Sequence, residues 1–130
     1  MSGESDLKTL MRKMEPVVVP GEFVFCSIQE KQLEDLQQPL LIFREHEGPT
    51  VIVTKDVAEQ NRFSFDAIWG LISLSIHSNL EAVGLLGAIT SHLANAGISV
   101  NAVSAYYHDH LFVPYGRVNE VVSLLLDLSK

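Results

Sequence analysis

The sequence has a single cysteine, Cys26, a single tryptophan and nine Lys and Arg residues against sixteen Asp and Glu. One cysteine excludes a disulfide framework within the chain and any zinc site built on several thiolates. A net charge of −7 argues against nucleic acid and anionic membrane as partners, because both repel a surplus of carboxylates. No apolar run reaches the length that spans a bilayer. The first residues, Met1 to Glu15, lack the apolar centre of a signal peptide, so a cytoplasmic location is expected. Also missing are a Gly-x-Ser-x-Gly elbow, a Walker loop, a Gly-x-Gly-x-x-Gly turn and a His-Glu-x-x-His helix. No residue stands out as catalytic, and the chain reads as a non-enzyme with no cofactor.

Charge is distributed unevenly. Residues 1–65 carry 7 basic and 11 acidic side chains, and residues 66–130 carry 2 and 5. Between Asp66 and Asp109 the only charged residue, histidine aside, is Glu81. Exposed surface needs polar cover, so this stretch must supply a core. It holds more apolar surface than so small a chain buries alone, which predicts a subunit interface and a homodimer.

The first half predicts a helix over 6–14 and a β-prone run over 17–19, broken at Pro20-Gly21. A strand over 23–28 follows, then a helical turn and loop over 29–39. Strands over 40–44 and 50–54 form a hairpin turning at Gly48-Pro49, ahead of a short helix over 55–61. In the second half Ile72, Leu74 and Ile76 alternate with Ser73, Ser75 and His77, the period of a strand with one buried face. A helix over 83–96 ends at Gly97, with Ile98 placed for the contact beyond a left-handed cap. Strands over 98–106 and 111–113 flank a turn at His108-Asp109-His110, and a helix over 117–128 closes the order.

That order is β-α-β-β-α, a ferredoxin-like βαββαβ unit without its last strand. The strand must come from Val17–Val19, from Phe23–Ile28 or from a second subunit, since an open sheet would leave an unpaired edge. The fold class is therefore α+β, two interlocked ferredoxin-like halves with the first degenerate, divided as 1–66 and 67–130.

The run Glu81-Ala82-Val83-Gly84-Leu85-Leu86, followed by Ala96-Gly97-Ile98-Ser99, resembles the ACT domain, a βαββαβ regulatory module that binds amino acids. That family's loop reads Asp-x-Pro-Gly-Leu-Leu and its later turn Ala-Gly-Ile-Asn; here Glu81 stands for Asp and Val83 for Pro. The segments Pro-Gly-Glu-Phe-Val-Phe-Cys at 20–26 and Ala-Tyr-Tyr-His-Asp-His-Leu-Phe-Val-Pro at 105–114 are similar to small bacterial proteins with two ACT-like halves. The resemblance implies a fold and a small-molecule ligand, with an amino acid as its class.

The candidate binding residues are His77, Asn79, Glu81, Ala82, Val83, Gly84, Leu85 and Asn101. A helix start offers unpaired N–H donors and partial positive charge, so a ligand carboxylate suits the backbone at 83–85. Gly84 permits close approach, and Glu81 or the amides of Asn79 and Asn101 suit an ammonium. Ser78 and Glu81 also form a capping-box pattern, in which both side chains serve only the helix. Asn101 is expected on a strand beside the one ending at His77. His108 and His110 suggest two metal ligands, but no further His or Cys has matching spacing, and no metal is assigned. The competing readings are a metal-dependent small enzyme using the His-Asp-His turn and a purely structural dimerisation module.

Overall fold

The computed structural model describes residues 3–75 and 84–130. Among these residues five α-helices and six β-strands follow one another as α1 (Gly3–Lys13), β1 (Pro16–Ser27), α2 (Glu30–Glu34), β2 (Leu41–Glu45), β3 (Gly48–Thr54), α3 (Lys55–Gln60), β4 (Trp69–Leu74), α4 (Leu85–Asn95), β5 (Asn101–Ser104), β6 (Asp109–Pro114) and α5 (Val118–Leu128). A 3₁₀ turn, Tyr115–Arg117, leads into α5. The chain forms two compact units, one of residues 21–69 and one of residues 1–20 with 70–130. The linear division at residue 66 and the spatial one therefore differ over residues 1–20 and 67–69.

The second of these units has the strand order β1-β4-β6-β5. Its β-α-β-β-α order is the one expected, and the missing strand is the first part of β1, which passes along β4. The Ser75 N–H donates to the Glu15 carbonyl at 3.0 Å, where the end of β4 meets the start of β1. Ile72, Leu74, Leu111 and Val113 turn one sheet face towards Leu85, Ile89 and Leu93 of α4 and Val121 and Leu125 of α5, all buried together. Met14 joins this core, and Leu7, Leu10 and Met11 lie half-buried against it, so α1 is held by the apolar stripe its spacing predicted. Leu71, on the opposite sheet face, is buried as well, so the start of β4 is covered on both sides.

The cap at the end of α4 forms as expected. Gly97 is left-handed, its N–H donates to Ala94 and the Ile98 N–H donates to Leu93, while Ile98 is buried in the core. Arg117 adds a second closure, donating to the carbonyls of Gly97 and Ala96 while its guanidinium pairs with Glu120.

The unit of residues 21–69 repeats the order in reduced form. Strands β2, β3 and β1 pair antiparallel in that order, with Phe23 opposite Thr54 and Leu41 opposite Ile52. Its helices α2 and α3 span 5 and 6 residues against 11 each for α4 and α5, which is the degeneracy expected. Val24, Cys26, Ile28, Val51, Val53, Ala58 and Phe63 form its core.

Three boundaries depart from the sequence reading. β1 runs unbroken through Pro20 and Gly21, because proline is tolerated where its missing N–H faces no partner. The β2–β3 turn is His46-Glu47, with Gly48 and Pro49 already inside β3. β5 spans only Asn101–Ser104, and Asp109 and His110 belong to β6 rather than to the preceding turn.

Candidate functional site

The helix start expected to receive a ligand lies where α4 begins. Its N-cap is Gly84 at φ 87°, a left-handed conformation that costs glycine little and other residues more. Gly84 has no side chain with which to cap, and its carbonyl accepts the first helical bond, from the Ala88 N–H at 2.9 Å. The N–H groups of the first turn consequently have no acceptor within the helix. Leu85 is 2% exposed and points into the core, so it can offer a ligand only its backbone. A methylene of a side chain at position 84 would sit 3.6 Å from the Leu7 Cδ2 of α1, which therefore borders this helix start. His77, Asn79, Glu81, Ala82 and Val83 lie outside the described residues, as does Ser78 of the capping-box alternative.

Asn101 is not where the sequence reading put it. It opens β5, the outermost strand of its unit, opposite Phe112 of β6, and β6 separates β5 from β4. Its side chain is exposed, so no burial demands a partner for it. Strands consecutive in sequence are not neighbours in this sheet: the crossover places the third strand of the unit, β6, beside the first, β4.

His108 and His110 separate in role. His110 lies half-buried in β6, and its Nδ1 is 2.7 Å from the Ser73 Oγ of β4. Burial lowers its pKa, the nearby His108 lowers it further, and Asp109 opposes both. Asp109 in turn accepts a hydrogen bond from the Ser104 hydroxyl at 2.7 Å. No group of three metal-ligating side chains occurs among the described residues. The Ser73–His110 pair was invisible in the sequence because 37 positions separate the partners. Cys26 is buried, and its thiol is pushed above its ordinary pKa by that burial, which disfavours the nucleophilic thiolate.

The unit of residues 21–69 contains a polar cleft of about 380 Å³ lined by Asp35, Gln37, Gln38, Thr54, Val57, Gln60 and Asn61. It is assembled from the segment after α2 and from α3 with its capping residues Thr54 and Asn61, which share no motif, so the sequence does not show it. Among the described residues no helix is long and apolar enough to cross a membrane.

Two models of the ACT domain match the chain, one over residues 2–69 and the other over 67–127. Among solved structures, a Vibrio cholerae protein of unknown function is 35% identical with a TM-score of 0.88, the match covering 99% of this chain and 100% of that one. An Agrobacterium tumefaciens protein shares 16% identity over 89% of each chain, with a TM-score of 0.72. The regulatory subunit of aspartate kinase from Thermus flavus shares 9% identity over 89% of this chain and 97% of its own, with a TM-score of 0.68. At these last two identities the likeness is one of fold. No curated protein matches the sequence. Matched along almost its whole length by two successive domain models, the chain belongs to the ACT-domain family.

Proposed function

We propose that this protein is a non-catalytic regulatory module that binds a small molecule, an amino acid by class, at the start of α4. The observation that carries the reading is Gly84, a left-handed glycine at the N-cap of α4, placed within the second of two ACT domains. The ligand carboxylate takes the backbone N–H groups at 83–85, where the helix end supplies donors and partial positive charge. Glu81 or Asn79 meets the ammonium, with His77 and Ala82 alongside. Asn101, two strands away from β4, takes no part. Binding acts on the subunit interface of a homodimer in the cytoplasm, with no metal or cofactor required. The aspartate kinase regulatory subunit of Thermus flavus, which has the same fold, supports a regulatory role.

The test is a thermal-shift series against the twenty amino acids. A ligand that binds only the folded chain stabilises it by about 2.7 kcal/mol at 100 times its Kd. At least one amino acid is expected to raise the Tm, and Gly84→Val, if folded, is expected to abolish that rise. A series in which no amino acid moves the Tm overturns the ligand class. A rise that survives both Gly84→Val and Glu81→Ala moves the site elsewhere.

A further inference from the structure

The first part of β1, Pro16–Pro20, has one side on which no strand pairs among the described residues. In an antiparallel ladder each residue directs its N–H and C=O to the same neighbour, and successive residues alternate sides. The Ile28 N–H donates to Pro49 of β3 at 3.0 Å, and the Glu15 carbonyl accepts from Ser75 beyond β4. Even-numbered residues of β1 therefore address the β3 side, and odd-numbered ones address β4. The pairing with β3 runs from Ser27 opposite Thr50 to Phe23 opposite Thr54 and stops there. Ahead of it, Pro16, Val18 and Pro20 direct their backbone to a side with no paired strand among the described residues.

This segment has the features that recruit another strand. Val17 and Val18 are 48% and 45% exposed, and Pro16 to Pro20 holds three β-branched residues and no charge. It is also a palindrome, Pro-Val-Val-Val-Pro. A second copy laid antiparallel about Val18 would set Val18 against Val18, and Pro16 against Pro20 at each end. Each such pair exchanges two hydrogen bonds when both residues carry an N–H. The Val18 pair can make both, and the two proline pairs can make none.

We infer that Pro16 and Pro20 close this edge of β1, so that the strand does not add a second copy of the chain. The prolines stand at the outward-facing positions that flank Val18. One residue earlier or later they would instead break the bonds to β4 that complete the sheet.

The double variant Pro16→Thr/Pro20→Thr tests the inference. Light scattering across a hundredfold range of concentration is expected to show an assembly larger than the wild type, growing with concentration. The triple variant Pro16→Thr/Val18→Pro/Pro20→Thr restores a proline on the same side and is expected to return to the wild-type mass. A double variant of wild-type mass at every concentration overturns the inference. So does a triple variant that assembles as the double does, since the association then uses another surface. If near-UV circular dichroism shows the double variant unfolded, Pro20→Thr alone carries the same comparison, and a wild-type mass for it again overturns the inference.

Discussion

Gly70 shows how one missing atom sets the spacing of an element. It lies in β4 under the start of α5, and a Cβ built there runs into the Cγ2 of Val118. Valine has little rotamer freedom on a helix and cannot swing aside. Gly70→Ala is expected to destabilise by about 1–3 kcal/mol, the usual cost of overpacking, despite the smaller gain from a stiffer unfolded chain. Urea denaturation checks this, and Val118→Ala in the same chain is expected to recover most of the loss, because it removes the colliding methyl. His110 gives a pH dependence of definite sign. Its pKa is lowered in the folded state by burial and by His108, so the unfolded chain binds the proton more tightly. Stability therefore falls as pH drops through the ordinary histidine value of about 6.5 towards the lowered one. The wild-type Tm is expected to drop between about pH 7.5 and 5.5, and the drop is expected to shrink in His110→Gln. An equal drop in both removes His110 as its source. Neither feature is legible in sequence: Gly70 reads only as a small residue, and His110 needs Ser73 brought alongside it by the fold.

Periodicity and capping chemistry located the helices of the second half to within a residue or two. They are local signals, written in side chains three and four positions apart. The C-cap of α4 is the clearest case, since Ala96-Gly97-Ile98 specifies both the left-handed residue and the contact beyond it. Gly97→Val forces a β-branched residue to φ 75° and is expected to cost about 1–2 kcal/mol. A lower urea midpoint with an unchanged slope would show that the loss is confined to the native state. The ends of the strands were harder to read, for a physical reason. A strand stops where its neighbour stops, and the neighbour of β1 changes from β4 to β3 along its length. Proline at position 20 therefore looked like a break, whereas in the sheet it occupies an outward-facing position that needs no N–H. Gly84 was legible as the start of a helix from its motif; the position of Asn101 was not, because sheet order depends on the crossover.

At the scale of the molecule, the ACT-like unit at the C-terminus is completed by residues from the N-terminus. Pro16–Pro20 form its outer strand, Met14 enters its core, and α1 lies against α4. Chain order and spatial order are thus related by a circular permutation, with the strand that ends the usual βαββαβ order placed ahead of it. The order of elements pointed to this, since a sheet without its last strand had to be completed from somewhere. The choice among Val17–Val19, Phe23–Ile28 and a second subunit nevertheless required the fold. A fragment of residues 67–130 has the family's second domain in linear terms but lacks β1, Met14 and α1. Without them one side of β4 is unpaired and Leu85, Ile89 and Leu93 lose part of their cover, so the fragment is expected to be unfolded or aggregated. Joining residues 1–20 to its C-terminus through a short Gly/Ser linker supplies the missing elements in the permuted order. That chain is expected to unfold cooperatively in urea, with dispersed amide signals by NMR. A fragment 67–130 that folds alone with the same cooperativity would show that the N-terminal strand is dispensable to the unit.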